Sequence, residues 1–156
     1  MNDLEWLEEL KNSPKGSVEY NKYLSIMYPY LTSRNPSGKM YDDYEDTVLD
    51  EVPDGWKDLV LQMCDELNTL LDKYNVSDIS EFYFSQIKEK FGRLQIYYVG
   101  VPEIIHNEFL DLIDKYSMQS TRICVKCGKP AKYYTQGYVR YYCEEHTPST
   151  KYIIGE

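Results

Sequence analysis

The stretch DGWKDLVLQMCDELNTLLDKY, residues 54–74, followed after Asn75-Val76-Ser77-Asp78 by FYFSQIKEKFGRLQIYYV, residues 82–99, decides the fold class. In the first part Trp56, Leu59, Val60, Met63, Leu67, Leu70, Leu71 and Tyr74 recur every three or four residues. That spacing predicts one continuous apolar stripe on a helix opened by Pro53-Asp54-Gly55 and ending at about residue 74, the spine of the core. In the second part the period becomes that of a strand, with Leu94, Ile96 and Tyr98 alternating with more polar neighbours. Strands are expected from Phe82 to about Glu89 and from Leu94 to Val99, reversing at Lys90-Phe91-Gly92, where Gly92 supplies a positive φ. Downstream, Pro102 sits where a second long helix begins, and Ile105, Phe109, Leu112, Ile113 and Tyr116 give it an apolar face ending near Ser117. The fold class is therefore α+β: helices packed on a small antiparallel sheet, with a C-terminal zinc-ribbon or treble-clef-like module.

Upstream, Leu4, Leu7 and Leu10 share a face behind an Asn2 or Asp3 cap, Pro14 and Gly16 break the pattern, and Ser17 caps a second helix through about Met27. Both apolar faces are narrow and must dock on something larger. Thr32 to Asp54 turns to Ser, Asn, Pro, Gly and acids, and reads as an ordered but exposed loop or short helix. Three segments result: an acidic helical and loop segment over 1–53, the α+β body over 54–119, and the zinc module over 120–156.

A chain of 156 residues can bury a core without disulfide staples. With 42% hydrophobic and 28% charged residues it lacks any apolar run near the about 18 residues that span a bilayer. Its acidic start is not that of a secretory signal, so a cytoplasmic location is expected, with no membrane partner. The net charge of -9 is split unevenly: residues 1–84 carry 18 Asp and Glu against 7 Lys and Arg, whereas residues 85–156 carry 8 against 10. The acidic half would repel nucleic acid and suits a basic protein surface better. Asp42, Asp43, Glu45 and Asp46 form its densest cluster and are the candidate partner contacts. The 17 tyrosines either cap a core with the hydroxyl outward or form a contact surface.

The sharpest chemical signal is C-terminal. Cys124 and Cys127 form a Cys-x2-Cys followed by Gly128, and Cys143 and His146 form a Cys-x2-His. Two residues between ligands let a tight knuckle aim both at one ion, and two knuckles complete a tetrahedron around one structural zinc. Two disulfides would explain neither His146 nor the paired spacing, and a cytosolic chain keeps its thiols reduced. Four protein ligands leave no coordination position for a reacting water, so hydrolysis at this metal is not expected. Cys64, beside the apolar stripe, reads as a small core residue.

No other motif supports an enzyme. His106-Asn107 stands alone in a predicted helix, without the second histidine or acid that a metal-dependent nuclease needs, and reads as a surface or boundary residue. The carboxylates at 42–54 lack the glycine and spacing of a calcium loop, and no Gly-rich phosphate loop or nucleophile elbow is present. One alternative needs no catalysis. Residues 121–142 hold Arg122, Lys126, Lys129, Lys132 and Arg140 with no acid, interleaved with five tyrosines. Such a hairpin could stack bases and pair phosphates, with Lys129, Lys132, Tyr134 and Arg140 as contacts.

Three elements together, Asp54-Gly55-Trp56 opening a helix, Gln86-Ile87-Lys88-Glu89-Lys90-Phe91-Gly92-Arg93-Leu94 across a strand turn, and Ser120-x-Arg122-Ile123-Cys124-x2-Cys127-Gly128 with Cys143-x2-His146, resemble a group of small phage and prophage proteins. The resemblance covers about residues 54–146 and implies a phage-encoded zinc-binding protein. In size and charge the chain is also similar to zinc-containing anti-CRISPR inhibitors of Cas9-type nucleases. That similarity implies a non-enzymatic inhibitor of a host nucleic-acid-processing complex, a Cas9-type effector first among them, opposing target-DNA loading, with direct nucleic-acid binding the second reading.

Overall fold

The computed structural model describes residues 2–154. Helices α1 (Asp3–Lys11) and α2 (Val18–Met27) start at the expected caps, where the Asn2 side chain accepts from the Glu5 amide and Ser17 from the Tyr20 amide. Helix α3 (Lys57–Lys73) follows a short 3-10 turn at Asp54–Trp56 and carries the expected stripe inward. Strands β1 (Tyr83–Lys90) and β2 (Arg93–Val99) pair antiparallel with Lys90 opposite Arg93 and Ile87 opposite Ile96, and a bulge falls between Phe84 and Gln86. Helix α4 (His106–Ser120) runs beside β2 after a 3-10 turn at Glu103–Ile105. The fold is α+β, as the change of hydrophobic period predicts.

One aromatic-rich core unites these elements. Trp56, Tyr30, Tyr116, Phe82, Phe84 and Phe109 are fully buried, and the Phe109 ring meets Phe82 and Tyr98 edge-on. Three core tyrosines place their hydroxyls on the polar flank of α3. Tyr30 donates to Asn68 at 2.7 Å, Tyr116 to Glu66 at 2.7 Å, and Tyr28 to Asp65. A buried phenol without a partner would cost about 1 to 3 kcal/mol, so the polar residues flanking the α3 stripe are as necessary as the stripe itself.

Three expectations change. The segment 32–54 is exposed only in part: Thr47, Val48, Leu49 and Val52 are buried, and Thr47 with Asp50 forms a capping box over a 3-10 turn at Val48–Glu51 that lies against β1. Dense surrounding acids mask those three apolar residues in the sequence. Helix α1 docks on α2 through Leu10, yet Leu4 is 79% exposed, so its apolar stripe is buried at one end only. Helix α4 also runs three residues beyond the expected stop, to Ser120, whose hydroxyl accepts from the Leu94 amide at 2.9 Å.

Candidate metal centre and binding surfaces

The residues around the first cysteine pair fold as a knuckle. The Cys124 amide donates to the Lys129 carbonyl at 2.8 Å, the Gly128 amide donates to the Cys124 carbonyl at 3.0 Å, and Gly128 takes a φ of 82° that closes the turn. The chain then forms β3 (Tyr133–Tyr134) and returns through Gly137 as β4 (Tyr141–Tyr142), which delivers Cys143 beside the first pair. At the second knuckle the Thr147 amide donates to the Cys143 carbonyl at 3.1 Å. A third strand that the sequence reading lacks, β5 (Tyr152–Ile153), pairs with the other edge of β3.

Cys124, Cys127, Cys143 and His146 thereby converge, with their four ligand atoms all within 4.8 Å of one another. Cys127 Sγ lies 3.6 Å from Cys143 Sγ, and His146 Nδ1 lies 3.2 Å from Cys143 Sγ and 3.8 Å from Cys124 Sγ. Thiolates about 2.3 Å from a tetrahedral zinc stand about 3.8 Å apart, so the four side chains fit one metal ion. Burial opposes ionisation of Cys124, but amide hydrogen bonds from Cys143, Lys126 and Cys127 outweigh it and bring the thiol down to about 7. The ligand set is three sulfurs and one imidazole, a soft donor set suited to a structural transition metal.

The module is fastened to the body at two places, and both use glycines that the sequence assigns to local turns. Gly55 packs its backbone on the first knuckle, with its amide donating to the Val125 carbonyl at 3.0 Å. A Cβ at Gly55 would stand 2.0 Å from the Cys124 carbonyl oxygen, so only glycine fits. Beside it the buried Trp56 indole donates to the Ile123 carbonyl at 3.0 Å. The second fastening is the β1–β2 turn, where Gly92 lies against Val139 and Tyr141. There Arg140 Nε meets Glu89 Oε1 at 3.1 Å. The Gly-Trp pair, the hairpin turn and the cysteine knuckles, separate in sequence, thus form one contact surface around the metal ligands.

The other candidates divide clearly. Lys129 pairs with Glu145 at 3.4 Å, Lys132 with Glu144 at 3.9 Å and Arg140 with Glu89, while the Tyr134 ring stacks on Tyr152. The four residues of the nucleic-acid alternative are therefore engaged within the chain. Asp42, Asp43, Glu45 and Asp46 are all exposed, and none makes an ion pair among the described residues. Their loop is ordered from below: the buried Asn21 side chain donates to the Tyr44 carbonyl at 2.8 Å, and the Glu45 amide donates to Asp43 Oδ1 at 3.2 Å. Cys64 is fully buried, and burial pushes its thiol pKa upward, as suits an unreactive core residue. His106 is exposed at the first residue of α4. No helix is long and apolar enough to cross a membrane among the described residues.

No family model, curated protein or solved structure matches the chain.

Proposed function

We propose that this chain is a non-catalytic, zinc-stabilised binding protein that presents its acidic loop to the basic, nucleic-acid-binding surface of a host protein and opposes nucleic-acid loading there. The observation that carries the reading is the contrast in charge pairing: Asp42, Asp43, Glu45 and Asp46 stand unpaired on a pinned loop, whereas Lys129, Lys132 and Arg140 are each matched to a carboxylate. Unpaired, pre-ordered charge of one sign steers association with a surface of the other and loses little entropy on binding. The single metal ion is read as zinc, held by three thiolates and one imidazole in a structural role. A phage origin and the cytoplasm of an infected bacterium follow from the resemblance of the three motifs. A Cas9-type effector holds guide and target in basic channels and is the first target to test.

The test is a target-cleavage assay with a purified Cas9-type ribonucleoprotein, titrated with this protein and with a variant carrying Asp42→Lys, Asp43→Lys, Glu45→Lys and Asp46→Lys. Inhibition that weakens at least tenfold in the variant and falls as salt rises is the expected result. Unchanged cleavage with the protein in large excess overturns the reading for that effector. A tight mobility shift with nucleic acid alone, lost in Lys129→Ala, Lys132→Ala and Arg140→Ala, would transfer the function to the ribbon.

A further inference from the structure

The β1–β2 sheet has only two strands, so each strand keeps one outer edge, and the two edges differ. The β1 edge is covered by the 48–51 turn, with Gln86 Nε2 donating to Glu51 at 2.8 Å. On the β2 edge only Leu94 is satisfied, its amide donating to Ser120 Oγ and its carbonyl accepting from Ser117 Oγ at 2.7 Å. Alternation along a strand turns the peptide groups of Ile96 the same way. Among the described residues they have no hydrogen-bond partner. An open strand edge is a template for another strand.

Beside this edge lies an open groove of about 470 Å³ whose far wall is Leu110, Ile113 and Asp114 of α4. Its hairpin end is formed by Lys90, Phe91 and Arg93. Phe91 is 79% exposed, held outward by the two-residue hairpin turn in which it and Gly92 take positive φ values of 53° and 82° between paired Lys90 and Arg93. Lys90 and Arg93 have no carboxylate partner among the described residues, in a chain whose net charge is -9.

We propose that this groove receives a short extended segment of a partner protein, paired to the β2 edge at Ile96. Its side chains alternate, apolar toward Leu110 and Ile113 and acidic toward Arg93 and Lys90. The strand geometry follows from the open peptide groups, the apolar positions from the α4 wall, and the acids from the two unpaired cations at the turn. Asp114 sits on the helix wall and sets the direction, since it repels acids from its own end. The surface lies on the edge of the hairpin away from the 48–51 turn and is independent of the acidic loop.

The test is fluorescence anisotropy with a labelled Glu-Val-Glu-Val-Glu-Val-Glu peptide, with Lys-Val-Lys-Val-Lys-Val-Lys, and with a Glu-Val peptide carrying proline at its centre. Binding of the first is expected, at least tenfold weaker for the other two and for the protein variants Arg93→Glu and Ile113→Asp, each checked for a native fold by circular dichroism. The Ile96 amide should exchange with solvent faster than the Leu94 amide in the free protein and slow on binding. No binding of the acidic peptide, or equal binding of the lysine or proline peptide, overturns the proposal. A concentration-dependent dimer broken by Arg93→Glu also overturns it, in favour of a second copy of this chain.

Discussion

The body and the metal module are both folded, but by opposite means. The body hides whole aromatic rings, with Trp56, Tyr30, Phe82, Phe84 and Phe109 at most 1% exposed. Residues 121–154 bury only Cys124, Val125 and Cys143, none of them in the module's three strands, which are two residues long each. A module that small cannot hold itself by hydrophobic burial, which leaves its order to its seat on Gly55, Trp56 and the hairpin turn and to the cluster of Cys124, Cys127, Cys143 and His146, whose ligand atoms converge closely enough to hold one metal ion. The difference teaches where each kind of damage should travel: core lesions reach the module through its seat, whereas loss of the metal stops at the seat.

The largest expected effect joins both regions. Trp56→Ala removes a fully buried ring and the donor to the Ile123 carbonyl, and should destabilise the protein by about 3 to 5 kcal/mol in urea titration. Gly55→Ala tests the seat alone. Its Cβ would sit 2.0 Å from the Cys124 carbonyl oxygen, and the expected cost is about 2 to 3 kcal/mol. Metal should also pass faster to a competing chelator, while far-ultraviolet circular dichroism of the helices is retained. Separating Arg140 from Glu89, a pair with side chains 33% and 13% exposed, should loosen the second fastening by about 1 kcal/mol in a double-mutant cycle.

The smallest effect belongs to the body alone. Hydrogen bonds from Lys115 and Tyr116 hold the Glu66 carboxyl below its ordinary value, against a small opposing contribution from burial. A carboxyl lowered in the folded state adds stability above its unfolded pKa and loses it as pH falls through the folded one. Glu66→Gln should therefore flatten the acid limb of the stability profile. On so exposed a pair the change at neutral pH should stay under about 1 kcal/mol.

The two regions also differed in how much of them the sequence discloses. The α3 stripe and the Cys-x2-Cys and Cys-x2-His spacings are local patterns, and both the long helix and the ligand cluster follow from them. What joins the regions is not local. Gly55 is required by a backbone seventy residues away in the chain, a contact that leaves no periodic trace and reads at the helix start as an ordinary turn glycine. Val48, Leu49 and Val52 reach the core from within an acidic stretch whose composition points outward, and Glu89, Glu144 and Glu145 pair with three cations of a ribbon that reads as free positive charge. Long-range pairing decides all three. The acidic loop itself was legible, because exposed carboxylates need no partner in the fold; its anchor, the buried Asn21, was not.

Hydrogen exchange followed by mass spectrometry, before and after metal removal with a strong chelator under reducing conditions, tests the division of the molecule most directly. Protection is expected to collapse across residues 121–154 and at the 3-10 turn Asp54–Trp56, where the knuckle sits, while α3, the β1–β2 hairpin and α4 stay protected; one zinc per chain should be recovered in the chelator. A module whose protection survives without metal, or a body that loses protection together with it, would contradict the account.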